Sequence, residues 1–357
     1  MPVFKDRLNE VSMVNKIMRF IRKASDRINR SLNIKLLDEG INITKLNDGV
    51  DKYIYATSPY IVHINSGDNI GENGNNLTIM VLTCNRVENT IKLLESINKH
   101  IPNFKGYVLL ADNGSSKEQL QILKSKRKEM PFRCEIIEFG ENLGIAGGRQ
   151  RAMDYVKTEW VMLLDNDIYF TTNPLKKLQK DISLLGCHFI NMPLMTETEK
   201  NVFTNGGNLY IDYIDKDNIY VNSGSVFKQE ECIKNTEFAP SLSTFIYGGT
   251  SVMKKETFLK CGGFDENMFI GFEDSDLSIR VFRAGYKVGN CGILALVHDH
   301  CTPKNNQDIE YEKKRFSNSK LKQSAEYFEK KNKYKVWNPS IEEWIKQRND
   351  ELKLEDK

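Results

Sequence analysis

Two aspartates one residue apart, Asp165 and Asp167, close the run Trp160-Val161-Met162-Leu163-Leu164, with Asn166 between them. Five consecutive residues of buried type predict a strand. In open α/β sheets ligands collect beyond the carboxyl ends of the strands, so both carboxylates are expected beside a ligand. Hard carboxylate oxygens suit Mg²⁺ or Mn²⁺, and such an ion can bridge the oxygens of a diphosphate. A solvated Asp-x-Asp turn would contain the same three residues, so the metal reading needs support from elsewhere in the chain.

Three other stretches supply it. Asn142-Leu143-Gly144-Ile145-Ala146-Gly147-Gly148-Arg149 follows an apolar stretch and opens a predicted helix. Glycines there let backbone approach a phosphate, a helix N-terminus favours an anion, and Arg149 is a candidate phosphate partner. The spacing departs from the dinucleotide fingerprint, and close helix packing would require similar glycines. The second stretch, Gly262 to Leu277, carries Glu273, Asp274 and Asp276 just after an aromatic-rich loop. A general base for a hydroxyl must be a carboxylate or imidazole within hydrogen-bond reach, which Asp274 or Glu273 satisfies. Acidic residues also suit the first turn of any helix, and a helix N-terminus lowers a carboxylate pKa unless desolvation offsets it. Third, His298 and His300 follow an apolar strand candidate; extended backbone would point both the same way, so that one can join two carboxylates on a metal. Two surface loop histidines remain the alternative.

The elements that must hold these residues alternate between strand and helix. Leu77–Leu82, Tyr107–Ala111, Cys134–Phe139 and Trp160–Leu164 are short, apolar and strand-like. Between them lie a helical segment with Ile91, Leu94 and Ile97 on one face and another over Ala146–Val156, while Asn173-Pro174 offers a further helix start. The alternation predicts an α/β fold with a mainly parallel sheet and helices on both faces. Asn208–Tyr213 and Asn218–Val221 suggest a hairpin. Helical and strand signals resume at Lys254–Lys260, Asp274–Ala284 and Ile293–Val297, and Gly285 is placed to end the second of these. Residues 66–76 contain one apolar side chain among turn formers and predict a linker. Three regions follow: an N-terminal extension over 1–75, a main domain over 76–303 divided near 190, and a charged, solvated helical tail over 304–357.

The chain has 357 residues, 40% apolar and 28% charged, with a net charge of +3. That is the make-up of an ordinary globular protein with a core. No apolar run approaches the ~20 residues of a membrane-spanning helix, and no leader-type segment opens the chain. Seven scattered cysteines without a paired motif predict reduced thiols and a cytoplasmic protein. Residues 1–35 hold nine Lys or Arg against three acidic residues, leaving a mildly acidic body that is a poor generic nucleic-acid binder. Within 11–32, Val14, Ile17, Met18, Ile21, Ala24, Ile28 and Leu32 share one helical face opposite six basic residues. Such a helix either lies on an anionic membrane surface, peripheral at its inner face, or docks on the body or a second subunit as a homo-oligomer.

Taken together and in order, these motifs resemble family 2 glycosyltransferases of the GT-A, Rossmann-like fold. Leu82-Thr83-Cys84-Asn85-Arg86 resembles the family's P-T-Y-N-R, and Asp112-Asn113-Gly114-Ser115 its D-N-G-S. Asn142–Arg149 resembles N-x-G-x-A-G-x-R, Asp165–Asp167 the D-x-D, and Gly262–Arg280 the G-G-F-D-E and E-D-x-D-L-x-x-R segments. Leu82 and Cys84 depart from the family's proline and tyrosine. The resemblance spans roughly residues 77–303 and implies a nucleotide-sugar donor, a UDP-sugar foremost, with Mn²⁺ or Mg²⁺. It implies that Thr83, Asn85 and Arg86 line the nucleotide pocket, and that Asp112 meets base or ribose. It places Asp165 at the donor ribose or sugar, and Asp167 on the metal with His298 or His300. Asp274 becomes the catalytic base, with Glu273 and Asp276 shaping the acceptor side. The expected activity is inverting transfer to a hydroxyl of a glycan, lipid-linked or protein acceptor. An inactive nucleotide-sugar-binding or scaffold protein and a sugar nucleotidyltransferase are the alternatives; the chain lacks the basic glycine loop after the first strand that the second usually needs.

Overall fold

The computed structural model describes residues 69–197, 201–215, 217–225, 236–299, 309, 313 and 318–351. Residues 11–32 and His300 lie outside the described residues, as does most of 301–317. The described residues all fall within one compact unit.

Four strands, β1 (Leu77–Thr83), β2 (Tyr107–Asp112), β3 (Cys134–Glu138) and β4 (Trp160–Asp165), run parallel in the order β3-β2-β1-β4. β2 is buried at every position, and β1 and β4 at all but one, the pattern of strands covered on both faces. Helices α1 (Val87–His100), α2 (Lys117–Arg127) and α3 (Gly144–Met153) make the crossovers. The short strands β5 (Ile168–Phe170) and β6 (Phe189–Asn191) follow, separated by α4 (Leu175–Leu185). Asn173 precedes α4 and its Oδ1 accepts from the Leu175 N–H at 3.0 Å, but Pro174 rather than Asn173 stands at the N-cap.

The sheet then continues through strands from the second half of the chain. After β7 (Leu194–Met195), β8 (Val202–Thr204), the hairpin β9 (Gly207–Asp215) and β10 (Asn218–Ser225), and β11 (Ser241–Ser243) comes β12 (Thr250–Lys254). β12 pairs antiparallel with both β4 and β6, and β13 (Val288–Asn290) pairs parallel with β6. With β11 at the edge, the eight-stranded sheet is parallel in four of its seven pairings. A second sheet has the order β5-β14-β7-β8, in which β14 (Leu296–His298) lies between β5, antiparallel, and β7, parallel.

Two apolar layers sandwich the main sheet. On one face Ile79 and Val81 meet Leu94 and Ile97 of α1 and Leu178 and Ile182 of α4. On the other, Met80 and Leu109 meet Ala152 of α3, Phe258 of α5 (Lys255–Lys260) and Leu277 of α6 (Glu273–Arg283). Each such fully buried aliphatic or aromatic side chain contributes about 1.5–3 kcal/mol, which holds the strand ends in fixed register. Cys84, Cys134, Cys187, Cys261 and Cys291 are free thiols. Among the described residues no helix is long and apolar enough to cross a membrane.

Two expectations about the flanks are corrected. Residues 69–76 are no linker: Ile70 is buried in the main core, and Asn69 Nδ2 donates to Gln179 O at 2.9 Å and Ser183 Oγ at 2.8 Å. One apolar residue sufficed to plug the chain into the body, a choice composition does not reveal. The C-terminal segment is helical, as α7 (Asn318–Asn332) and α8 (Pro339–Glu351), but it is not a solvated tail. Ala325 and Phe328 of α7, with Tyr334 and Val336, share a core with Leu209, Ile219 and Val221 of the hairpin and with Ile279 of α6. Lys335 also bonds through its backbone to Ile219 and Val221, continuing the hairpin. High charge content masked a narrow apolar stripe.

Candidate active site

Strand register gathers the chemistry. β1 pairs Thr83 with Asp112 on one side and Leu82 with Asp165 on the other, so these residues share the carboxyl edge of the parallel sheet. Across from Asp165 lies the turn before β12, where the Asp165 N–H donates to Gly249 O at 3.0 Å. A cleft at this edge is lined by Leu82, Thr83, Cys84, Arg86, Asn113, Asn142, Gly144, Ile145, the Asp165–Asp167 triplet, Phe269 and Ile270.

Behind Asp165, outside the cleft lining, sits Arg149, only 5% exposed. Its Nη2 donates to Asp165 Oδ1 at 2.7 Å, and Nη1 lies 3.5 Å from Glu273 Oε1 and 3.8 Å from Asp274 Oδ1. The sequence suggested a phosphate partner. In the structure burial penalises the guanidinium charge, but Asp165, Asp274 and Glu273 outweigh that and raise its pKa. The charge is already matched from inside the protein.

Glu273 and Asp274 open α6, whose N-cap is Phe272 in the left-handed region at φ 68° with no side-chain cap bond. Asp274 is therefore a first-turn residue rather than the cap. Burial, reinforced by the neighbouring Asp274 charge and opposed by Arg149, pushes Glu273 up to about 7. Burial also raises the Asp274 pKa, against Arg149 and the Gly248 backbone N–H. These are the shifts expected of carboxyl groups that must accept a proton near neutrality.

A glycine pair that the sequence reading missed makes this packing feasible. A Cβ on Gly248 would stand 2.2 Å from Asp274 Oδ1 and 2.4 Å from Arg149 Nη1, and one on Gly249 would stand 2.3 Å from Asp165 Oδ2. The signal was a Gly-Gly step following the aromatic Phe245-Ile246-Tyr247 run, which lacked charged residues to draw notice.

Of the residues expected on a metal, the structure brings Asp167 and His298 together. β14 lies against β5 with His298 opposite Ile168, and the Asp299 N–H donates to Asp167 O at 2.8 Å. His298 Nε2 is thereby held 3.4 Å from Asp167 Oδ1, with the Phe203 ring edge-on to the imidazole at 5.0 Å. The carboxylate oxygen suits Mn²⁺ or Mg²⁺, and the imidazole nitrogen facing it suits a transition-metal ion such as Mn²⁺ better than Mg²⁺. The expected three-residue set with Asp165 is not gathered, because Arg149 draws Asp165 to itself. Among the described residues no three His, Cys, Asp or Glu side chains stand close enough to hold an ion.

Other expected residues divide. Thr83 and Arg86 line the cleft, the Thr83 hydroxyl bonding to Thr90 Oγ1 at 2.9 Å. Asn85 does not line it: Oδ1 accepts from the Ser116 N–H at 2.9 Å and its own N–H donates to Ser115 Oγ at 2.7 Å, fixing the turn. Asp112 accepts from the Ser115 N–H through Oδ2 at 3.3 Å, while Oδ1 is buried with no hydrogen-bond partner among the described residues. The glycine loop at α3 is not an open anion cradle. The Leu143, Gly144 and Ile145 N–H groups already donate to Asn113 Oδ1, Asn142 Oδ1 and Phe269 O at 2.8–2.9 Å. Gly144, at φ +78°, is demanded by closeness, since a Cβ would meet Phe269 O at 2.3 Å. Gly147 faces Leu143 and Glu266 outside the cleft. Asp276, expected on the acceptor side, is fully buried and neutralised by Arg280 at 2.7 Å and Lys331 at 2.9 Å.

Similarity to known proteins bears on the fold and the family. The model of glycosyl transferase family 2 matches residues 78–241, and that of the N-terminal domain of galactosyltransferase matches 233–298. An uncharacterized glycosyltransferase, YwdF of Bacillus subtilis (strain 168), is 25% identical over 125 residues, which is 35% of this chain and 45% of that protein. The crystal structure of GalNAc-T7 with UDP, GalNAc and Mn²⁺ is similar with a TM-score of 0.50 at 15% identity, covering 79% of this chain and 59% of that one. The mannosyltransferase PcManGT from Pyrobaculum calidifontis, solved with GDP-Man and Mn²⁺, aligns with a TM-score of 0.47 at 16% identity over 78% and 70% of the two chains. The fold is GT-A, and the chain resembles the family 2 nucleotide-sugar glycosyltransferases.

Proposed function

We propose that this protein is an inverting, metal-dependent glycosyltransferase that moves a sugar from a nucleotide diphosphate sugar, in the first instance a UDP-sugar, to an acceptor hydroxyl. The observation that carries the reading is the carboxylate cluster around Arg149, set beside a cleft at the carboxyl edge of the parallel sheet. Family 2 resemblance across residues 78–241 and the UDP and Mn²⁺ named for GalNAc-T7 support it.

In this reading Thr83 and Arg86 border the nucleotide, and the spare oxygen of buried Asp112 accepts from base or ribose. Asp167 and His298 would hold the divalent ion. The ion supplies charge stabilisation as the diphosphate leaves. Asp165, fixed by Arg149, borders the donor sugar. Asp274 takes the proton of the attacking hydroxyl, and Glu273 and Arg149 set its environment. A single displacement inverts the anomeric carbon, and no nucleophile for a covalent intermediate is assigned. The acceptor belongs to a glycan, a lipid-linked sugar or a protein.

Incubation with a panel of nucleotide sugars, with Mn²⁺, Mg²⁺ or chelator, tests this. Metal-dependent release of nucleotide diphosphate is the expected outcome. Release of pyrophosphate from a nucleoside triphosphate, or binding without turnover, would overturn the reading.

A further inference from the structure

The C-terminal helix α7 lies beyond both matched stretches, which end at residues 241 and 298, yet its last turn reaches into the active-site motif. Lys331 Nζ donates to Asp276 Oδ2 at 2.9 Å and to Asp265 Oδ2 at 2.7 Å. The next residue, Asn332, donates from Nδ2 to Asp276 Oδ1 at 2.9 Å. Asp276 is fully buried and lies two residues after Asp274 in the first turn of α6. Asp265 begins the aromatic loop that runs to Phe272, and there the Tyr327 hydroxyl adds a bond at 3.2 Å. At the other end of the same loop Leu321 of α7 packs on Ile270, a residue that lines the cleft. One helix thus grips both ends of the loop and the first turn carrying the carboxylates.

A buried carboxylate is costly unless its charge is matched and its oxygens are bonded. Arg280 comes from the same helix and, although it also donates to the Cys261 and Gly263 carbonyls, cannot tie α6 to the C-terminal segment. Lys331 and Asn332 come from a separate element and can. We propose that Lys331 is a positioning residue for the transfer reaction: through Asp276 and Asp265 it holds α6 and the aromatic loop in the arrangement that places Asp274. This rests on the assignment of Asp274 as base.

The test uses the full chain and the donor found to be turned over. Lys331→Met keeps the stem but removes the charge, Lys331→Arg keeps the charge, and Lys330→Met is a control on the exposed face. A misplaced base costs rate on the order of tenfold to a hundredfold. Lys331→Met should lower kcat for nucleotide release by about that factor, with donor KM within about twofold, and Lys331→Arg should restore most of it. Wild-type kcat in a folded Lys331→Met protein overturns the proposal, as does a loss that Lys331→Arg fails to restore. Should Lys331→Met not fold, Asp265→Asn decides, since it cuts only the loop half of the grip. Reduced kcat at unchanged donor KM then supports the proposal, and unchanged kcat overturns it. Failure of the wild type to turn over any donor would instead sink the glycosyltransferase reading, and that control is read first.

Discussion

Arg149 and Asp165 meet at 2.7 Å, joining the helix that follows the third strand to the end of the fourth. The same guanidinium approaches Glu273 and Asp274 through its other nitrogen, so the donor edge and the proposed base share one buried cation. A change on either side is therefore felt at the other, and the predictions below separate them.

Asp274→Asn should abolish transfer while nucleotide and Mn²⁺ binding stay close to wild type. Asp167→Asn and His298→Ala should do the reverse first, weakening Mn²⁺ affinity on the order of tenfold or more along with rate. Calorimetric titration of Mn²⁺ beside turnover measurements distinguishes the two. Because Phe272 rather than Asp274 caps α6, Asp274→Asn should leave thermal stability nearly unchanged. Substantial turnover in that variant would move the base elsewhere.

Glu273 leads to a stability prediction. Its folded pKa of about 7 lies above the ordinary 4.5, owing to burial and then to Asp274, with Arg149 opposing and Asp165 assisting. Between those values the folded state binds the proton that the unfolded state has lost, so stability falls as pH rises from about 4.5 to about 7. The contribution is up to about 3 kcal/mol. Glu273→Gln should flatten that fall in denaturant midpoints measured across the interval. An unchanged slope would show that Glu273 is ionised in the fold throughout.

Gly249→Ala places a methyl group 2.3 Å from Asp165 Oδ2. The obstructed atom is the end of a side chain, so the carboxylate should swing away and the fold should survive. Turnover is expected to drop at least about tenfold with little change in melting temperature. Activity equal to wild type would mean that Asp165 need not occupy its observed place.

The basic amphipathic segment 11–32 is tested on its own terms. Deleting residues 1–35 should abolish binding to anionic vesicles, and wild-type binding should weaken as salt rises. A wild type that ignores such vesicles removes the membrane reading; a deletion that changes the oligomeric state favours docking.

Residue types and order made much of the catalytic half readable. The parallel strands announced themselves as apolar runs; Asp165 and Asp167 stood out as a carboxylate pair closing one of those runs, and Asp274 as one of three carboxylates within four positions. What stayed hidden was partnership. Nothing in the order of residues says that Arg149 faces three carboxylates rather than a phosphate, or that the first N–H groups of α3 are spoken for by Asn113, Asn142 and Phe269. Such pairings arise from residues distant in the chain, as between Asp181 and the Gly292 N–H, where periodicity carries no information. The same holds for Asp276, whose spacing resembled a site residue while its neighbours made it an anchor.

The bond from Asn332 to Asp276 spans 56 residues of chain. During synthesis at ~5–20 residues per second, the anchor is made roughly 3–11 s after the aspartate it holds. Throughout that interval the carboxylate-bearing helix has been translated but its outside grip has not. A nascent chain can thus complete the parallel sheet and the donor edge early, while the arrangement that places the base waits for α7. Ribosome-bound intermediates stalled before Lys331 should bind nucleotide well before they turn it over.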